Sequence, residues 1–203
     1  MLDRWNNLMN NFAADGQVKA RIGQNLVEQY QSQGRYYHNL GHISAMLDLL
    51  AQYKAQIADE PTLALAIWFH DAVYQPLRSD NEEKSAELAR AELPLLNVPK
   101  SQVVKVEQFI LATKRHELLI PDADLAYFLD FDLAILGSSQ ADYQQYVQQI
   151  RQEYHWYPDL VYRPGRRKVL ESFLGRAKLF HRLGDQYEMV ARQNLAREIA
   201  TYV

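Results

Sequence analysis

The chain contains no cysteine, and this absence excludes disulfide bonds, thiolate nucleophiles and cysteine-based zinc sites. It also lacks an excess of charge, because 22 Lys and Arg residues stand against 25 Asp and Glu residues in a chain of 203. A net charge of −3 gives no general attraction to nucleic acid or to an anionic membrane, so neither is predicted as a partner. Any contact with phosphate must come from a few local groups.

Long hydrophobic runs are also absent. The longest, Leu63 to Phe69, is far too short to cross a bilayer, and the first ten residues lack the apolar core of a signal peptide. Glycine and proline are few, with 8 and 7 residues, and they form no linker. We therefore expect a cytoplasmic protein with a single domain over residues 1–203.

Apolar residues recur three and four positions apart along almost the whole chain, and the alternation typical of strands is hard to find. The sequence therefore predicts an all-α fold. Its predicted helices are 2–13, 17–32, 40–56, 61–73, 80–92, 100–113, 122–135, 139–155, 159–180 and 185–200. Asp80 or Asn81 is expected to cap the helix that follows them.

Three clusters of metal-binding residue types interrupt this helical pattern. His70 and Asp71 end the apolar stretch LALAIWFHDAVY, where a structural helix would favour Leu or Ala. His42 lies at the start of an earlier amphipathic segment, and Asp132, with Asp130 as the competing carboxylate, lies in the apolar segment LAYFLDFDLAIL. Each residue alone is explained by ordinary packing, but together they predict a metal site.

Two imidazoles and two carboxylates form a mixed nitrogen and oxygen set. Such a set suits an open site for Mn, Co, Ni, Mg or Fe better than a closed structural zinc site, although Zn also fits. Water in the open positions would become a nucleophile near neutral pH, so hydrolysis is the chemistry that we predict.

The order His42, His70-Asp71, Asp132 on a helical chain resembles the HD superfamily of metal-dependent phosphohydrolases. The phrases RYYHNLGHI, WFHDAVY, DNEEKSAELA, ILATKRHE and LDFDLAILG are similar to a bacterial group of predicted HD phosphohydrolases of about this length. The resemblance implies that these four residues bind the divalent ion. It also implies an HD-domain helical bundle with a core at about 35–136, on which C-terminal helices at 139–200 pack.

Further residues are candidates for roles around the ion. Asp71 is a candidate base for the attacking water, and Lys114 or His116 for phosphate contact or leaving-group protonation. Glu83 is a candidate for orienting water or a ligand imidazole. Helix ends favour Lys and His, and first turns favour Glu, so ordinary helix construction explains these residues equally well. His38 is a candidate second-sphere partner or ligand of a second metal.

The favoured prediction is a phosphohydrolase for a small phosphorylated molecule, which the resemblance implies to be nucleotide-like. The tyrosine-rich segment at 154–162 could stack on a base, although such clusters more often belong to a core or a subunit contact. Two alternatives remain open: a non-catalytic helical module that binds a metal or nucleotide, and a di-iron oxygenase of the HD type. The sequence permits a homodimer without indicating one.

Overall fold

The structure, a computed structural model, describes residues 1–118 and 120–202. Over these residues the chain forms ten α-helices and no β-strand, which confirms the predicted all-α fold. Short 3-10 turns follow α3, α5 and α7. The helices are α1 (Leu2–Met9), α2 (Gly16–Tyr30), α3 (Leu40–Gln52), α4 (Glu60–Phe69), α5 (Asn81–Glu92), α6 (Lys100–Thr113), α7 (Ala123–Leu133), α8 (Gln140–Glu153), α9 (Asp159–Leu174) and α10 (Asp185–Ala200).

Helix α4 is the centre of the core. Every residue from Thr62 to Phe69 is buried, and helices α3, α5, α6 and α7 surround it. Trp68 of α4 meets Trp5 of α1 edge to face, with 5.5 Å between the ring centroids. Within the described ranges no helix has the length and apolar character needed to cross a membrane, and the apolar surface of α4 is covered by protein instead.

Several helices begin at a residue whose side chain accepts backbone N–H groups of the first turn. Asn39 does so for α3, Asp59 for α4 and Asp122 for α7, and these are the helices that carry the candidate metal ligands or lead to them. Asp80 occupies the cap position of α5 as predicted but makes no capping hydrogen bond, because its carboxylate binds Arg78 at 2.6 and 2.8 Å.

Some helices are shorter than the periodicity predicts. The first ends at Met9 rather than 13, the third at Gln52 rather than 56, and the fourth at Phe69 rather than 73. The ninth ends at Leu174 rather than 180. In the loop that follows it, the backbone N–H groups of Leu179 and Phe180 bind the Glu188 carboxylate at 2.9 and 3.1 Å, so these groups do not make helical hydrogen bonds. The N–H groups of residues 181–183 bind the Asp130 carboxylate in the same way.

The contact between α1 and α2 requires glycine at one position. A Cβ atom at Gly23 would lie 2.3 Å from Cδ1 of Trp5. We expect Gly23→Ala to lower the free energy of unfolding by about 1–3 kcal/mol, because the indole has to move. Gly16→Ala is the matched control, since no heavy atom lies within 4 Å of its Cβ position, and it should stabilise by up to about 1 kcal/mol. Urea denaturation measures both variants, and equal effects would contradict this account of the α1–α2 contact.

Candidate metal centre

His70 directly follows the last residue of α4, and because that helix is buried, the imidazole is buried too. Its Nδ1 atom is 3.0 Å from the carbonyl oxygen of Ile67. Because a carbonyl oxygen only accepts hydrogen bonds, Nδ1 carries the proton and donates. In the neutral ring, the lone pair is therefore on Nε2, which points away from the helix; this arrangement is typical of a metal-binding imidazole.

His42 and Asp132 bring their donor atoms to the same point. Nε2 of His42 is 3.2 Å from Nε2 of His70 and 3.0 Å from Oδ1 of Asp132. The same oxygen is 3.6 Å from Nε2 of His70. The three residues come from α3, the end of α4, and α7. These residues are up to 90 positions apart in the sequence, and the packing of the helices brings their side chains into contact.

This group can hold a metal ion, since one donor atom from each of the three residues lies within 4.8 Å of the other two. Ligands with bonds of about 2.1 Å to one ion are separated by about 3.0–3.4 Å when their bonds are 90–110° apart. The observed separations of 3.0, 3.2 and 3.6 Å are close to that range. In this group two imidazole nitrogens face each other beside a buried carboxylate. Such an arrangement requires a positive charge between the donor atoms, which either a proton or a metal ion can supply.

Asp71 is the fourth predicted ligand, and it lies on the open side of the group. Its Oδ2 atom is 3.2 Å from Nε2 of His70, and 16% of its side chain is exposed. Helix α4 ends at Phe69, so His70 and Asp71 follow its last residue and are not held at the angle that separates neighbouring helical side chains. Their side chains can therefore approach each other. Burial by itself raises the pKa of Asp71, but His70 and His38 outweigh this effect and the pKa lies below its usual value.

Asp130 and Asp132 have different surroundings, although they lie on one helix. The Asp130 carboxylate is fully buried and accepts the backbone N–H groups of His181, Arg182 and Leu183 at 2.5–2.9 Å. It therefore holds the loop between α9 and α10. Asp132 contacts both imidazoles of the group, so the structure places Asp132, and not its competitor, at the centre.

His116 is the third imidazole near the group. Its Nε2 atom is 2.8 Å from Oδ2 of Asp132, the oxygen that is more remote from His42 and His70. The backbone of His116 is in the left-handed region, with φ 47°, and Arg176 binds its carbonyl oxygen at 2.9 Å. His116 is thus held against Asp132 at some conformational cost.

Lys114 and Glu83, two further predicted site residues, form a salt bridge with each other. Lys114 also donates to the carbonyl oxygen of Ser79 at 2.8 Å and lies on the wall of the cavity described below. Among the described residues, Glu83 makes no hydrogen bond to His42, His70 or His116. The pair joins α5 to the end of α6 beside the site.

Two charged residues that the sequence analysis did not select hold the segments around the centre. Arg35 donates to the carbonyl oxygens of His38, Asp71 and Ala72 at 3.1, 2.6 and 2.8 Å. The Glu153 side chain, which is fully buried, accepts from the backbone N–H groups of residues 36–38. A glutamate in QQIRQEY looks like a solvated helix residue, and nothing in the sequence distinguishes it.

A cavity of about 650 Å³ opens onto one side of the centre. Its lining includes His38, Asp71, His116 and Asp132, whereas His42 and His70 are not among the described residues that line it. Lys114 and Arg78 lie on its wall, and residues of α8, α9 and the connection between them form an aromatic surface. The tyrosines of that surface that the sequence analysis singled out are Tyr154, Tyr157 and Tyr162.

The charges of the centre balance each other. Burial lowers the pKa of His70, but the carboxylates of Asp71 and Asp132 outweigh it and raise the pKa well above the usual value. Burial raises the pKa of Asp132, but hydrogen bonds from His116, His42 and His70 outweigh it and lower the pKa well below the usual value. The raised pKa of His70 and the lowered pKa of Asp132 both favour an ion pair between the imidazolium and the carboxylate.

Comparisons of the chain with protein-family models, with curated proteins and with solved structures find no match. The likeness to the HD superfamily therefore stays a prediction from the motifs. The function has to be argued from the site.

The different surroundings of the two aspartates lead to opposite predictions. We expect Asp132→Asn to weaken Mn²⁺ or Zn²⁺ binding by about 100-fold or more, because a ligand contributes more than the roughly 10–100-fold of an outer partner. Asp130→Asn should leave metal binding unchanged but lower the free energy of unfolding by about 1.5–3 kcal/mol, because three N–H groups lose a charged acceptor. Isothermal titration calorimetry and urea denaturation test the pair. If Asp130→Asn loses metal binding and Asp132→Asn retains it, Asp130 and not Asp132 is the ligand.

Metal affinity should depend on pH through His70. Because the pKa of His70 is raised, its proton is present at neutral pH and a metal ion must displace it. The apparent affinity should fall by about tenfold for each pH unit below that pKa, and it should level off above it. Calorimetry in buffers with different ionisation enthalpies measures the proton released. Affinity that does not change between acidic and neutral pH would contradict this prediction.

Proposed function

We propose that this chain is a divalent-metal-dependent phosphohydrolase of the HD type, which acts on a small phosphorylated and nucleotide-like molecule. The observation that carries the proposal is the group formed by His42, His70 and Asp132, with Asp71 beside it, because Asp132 and Asp71 also line a cavity. A structural ion would be enclosed by its ligands. Here Asp132 and the neighbouring Asp71 face a space large enough for a substrate.

The chain supplies the remaining parts of a hydrolytic site. A divalent ion bound there lowers the pKa of water and stabilises negative charge on a phosphoryl group. Asp71 has one oxygen near His70 and a second that can receive the proton of the attacking water. His116 holds the opposite oxygen of Asp132 and so fixes the orientation of that carboxylate.

The walls of the cavity support a substrate with a phosphate and a planar group. Lys114 and Arg78 provide positive charge, although their partners Glu83 and Asp80 reduce it. The tyrosines on the α8 and α9 side offer ring faces against which a base can stack. No group here distinguishes one base from another, so the proposal extends only to the substrate class.

One observation favours a second candidate, the di-iron oxygenase. The oxygens of Asp132 contact different imidazoles, with Oδ1 close to His42 and Oδ2 close to His116. A carboxylate between two sets of nitrogen ligands can bridge two ions, and His38 and His116 would serve the second ion. A non-catalytic module remains the third candidate, and its test is a complete lack of turnover.

A phosphatase screen tests the proposal. The purified protein is incubated with phosphomonoesters and nucleotides in the presence of Mn²⁺, Co²⁺, Ni²⁺ or Mg²⁺, and released phosphate is measured. We expect metal-dependent turnover that His70→Ala abolishes, and a decrease of about 10²–10⁴-fold in Asp71→Asn if this residue accepts the proton.

The controls of this screen separate the candidates. Asp48→Asn is a matched surface variant on α3, because its side chain is 62% exposed and pairs with Arg4, and it should retain activity. Two ions per chain by elemental analysis, with colour under air, would favour the di-iron oxygenase. No turnover with any ion and any substrate would favour the module and refute the hydrolase.

A further inference from the structure

Arg166 places a buried positive charge in the wall that α9 contributes to the cavity. Its neighbours on this wall, about one turn away along the helix, are Tyr162 and Val169. Only 10% of the Arg166 side chain is exposed. Burying a guanidinium to this extent costs free energy unless its N–H groups find acceptors, so the partners of Arg166 decide what it can do.

The guanidinium of Arg166 is held from the side of α10. Its Nε atom donates to Oε1 of Glu198 at 2.8 Å, and Nη2 donates to Oε2 at 3.2 Å. Nη1 donates to the hydroxyl of Tyr146 at 3.3 Å, and Cζ lies 5.3 Å from the centroid of that ring. The hydroxyls of Tyr143 and Tyr202 also donate to Glu198, at 2.5 and 3.0 Å. These contacts fix the plane of the guanidinium.

Part of the guanidinium is still without an acceptor. Within residues 1–118 and 120–202, the bonds to Glu198 and Tyr146 use three of the five N–H groups that an arginine carries. Arg166 lines the cavity, whereas Glu198 is not among the described residues that line it. The cavity therefore faces the cation of this pair and not its carboxylate.

Arg166 also differs from the other cations of the cavity wall. Burial lowers the pKa of Arg166, but Tyr146 and Glu198 outweigh it and raise the pKa, so the guanidinium stays charged. Lys114 and Arg78 lie on the same wall, but their side chains are 40% and 39% exposed, so water satisfies them. An acceptor that reaches Arg166 makes a charged hydrogen bond in a site shielded from water, where such a bond is stronger.

Two aromatic rings separate Arg166 from the candidate metal centre. The ring of Tyr146, over which the guanidinium lies, is 4.6 Å from the ring of Tyr37 between centroids. The ring of Tyr37 is in turn 5.0 Å from that of His42. One phosphate cannot reach both places. A phosphoryl group at the metal and an acceptor at Arg166 must belong to different ends of one molecule.

We propose that Arg166 is a specificity-determining residue, which binds an anionic group of the substrate remote from the phosphate that is hydrolysed. This inference rests on the proposed phosphohydrolase function. The anionic group is a second phosphate or a carboxylate, because each offers two oxygens to the unused N–H groups of the guanidinium. The preferred substrates are then small molecules with an anionic group at each end of a ring-sized spacer.

The test compares ligands with and without the second anionic group. Adenosine 3′,5′-bisphosphate against adenosine 5′-monophosphate tests a phosphate, and orotidine 5′-monophosphate against uridine 5′-monophosphate tests a carboxylate. Calorimetry with the Ca²⁺-loaded protein measures each affinity, and phosphate release with Mn²⁺ measures kcat/KM. We expect at least one of the two-anion ligands to bind about 10–100-fold more tightly than its one-anion counterpart, as is typical of a charged hydrogen-bonded contact.

Two variants remove the subsite in different ways. Arg166→Lys keeps a charge beside Glu198 but loses the planar set of N–H groups. Arg166→Gln combined with Glu198→Gln removes both charges, so that no buried carboxylate is left unpaired. Each variant should lose most of the preference and leave the affinity for the one-anion ligand nearly unchanged.

Arg167→Gln is the matched control. Arg167 is the next residue of α9 and also pairs with a glutamate, Glu171, but its side chain is 43% exposed. It is not among the described residues that line the cavity. This variant should therefore keep the full preference for the two-anion ligand.

The outcomes separate the inference from the proposed function. No preference for either two-anion ligand in the unmodified protein, a preference that survives in both Arg166 variants, or an equal loss for both members of a pair would each overturn the inference. A preference in the bisphosphate pair alone assigns a phosphate to Arg166, and one in the orotidine pair alone assigns a carboxylate. Binding through Arg166 without any turnover would refute the proposed function and leave the anion site as that of a binding module.

Discussion

The structure brings two imidazole nitrogens and a carboxylate oxygen close together inside the protein. Burying these polar atoms side by side costs free energy unless a positive charge lies between them. His42, His70 and Asp132 come within 3.0–3.6 Å of one another, where they are shielded from water. Such a group is stable only with a positive charge between its members, and a metal ion supplies it better than one shared proton because it binds all three donors. The surrounding helices position these three atoms, and the cavity reaches Asp132 and the neighbouring Asp71.

Hydrogen bonds between segments that are far apart in the sequence hold the candidate metal centre in place. Arg35 joins the segment before α3 to the segment after α4, and Glu153 joins the same segment to α8. Asp130, two residues before Asp132 on α7, holds the loop between α9 and α10. The hydrogen bonds of these charged groups fix the orientation of the residues around the candidate metal centre.

Three of the four imidazoles in and around this centre differ clearly in the partner of one ring nitrogen. His70 has its Nδ1 proton fixed by a carbonyl oxygen, His38 has its Nδ1 proton fixed by a carboxylate, and His116 directs Nε2 at Asp132. The first arrangement is typical of a metal-binding imidazole, and the third is typical of a group that orients a ligand carboxylate. Chemically identical side chains thus differ in which ring nitrogen is engaged, because their hydrogen-bond partners differ.

The helical periodicity and the three clusters determined much of this protein without coordinates: the all-α fold, most helix positions, and the candidates His42, His70, Asp71 and Asp132. These features are local, since a period of 3.6 residues and a polar side chain in an apolar stretch are visible within one segment. Only the tertiary structure decided between Asp130 and Asp132, ended α9 at Leu174, and brought Glu153 to His38. Those outcomes depend on which distant groups meet, and a helical Glu or Asp has the same local sequence whether it faces water or a buried imidazole.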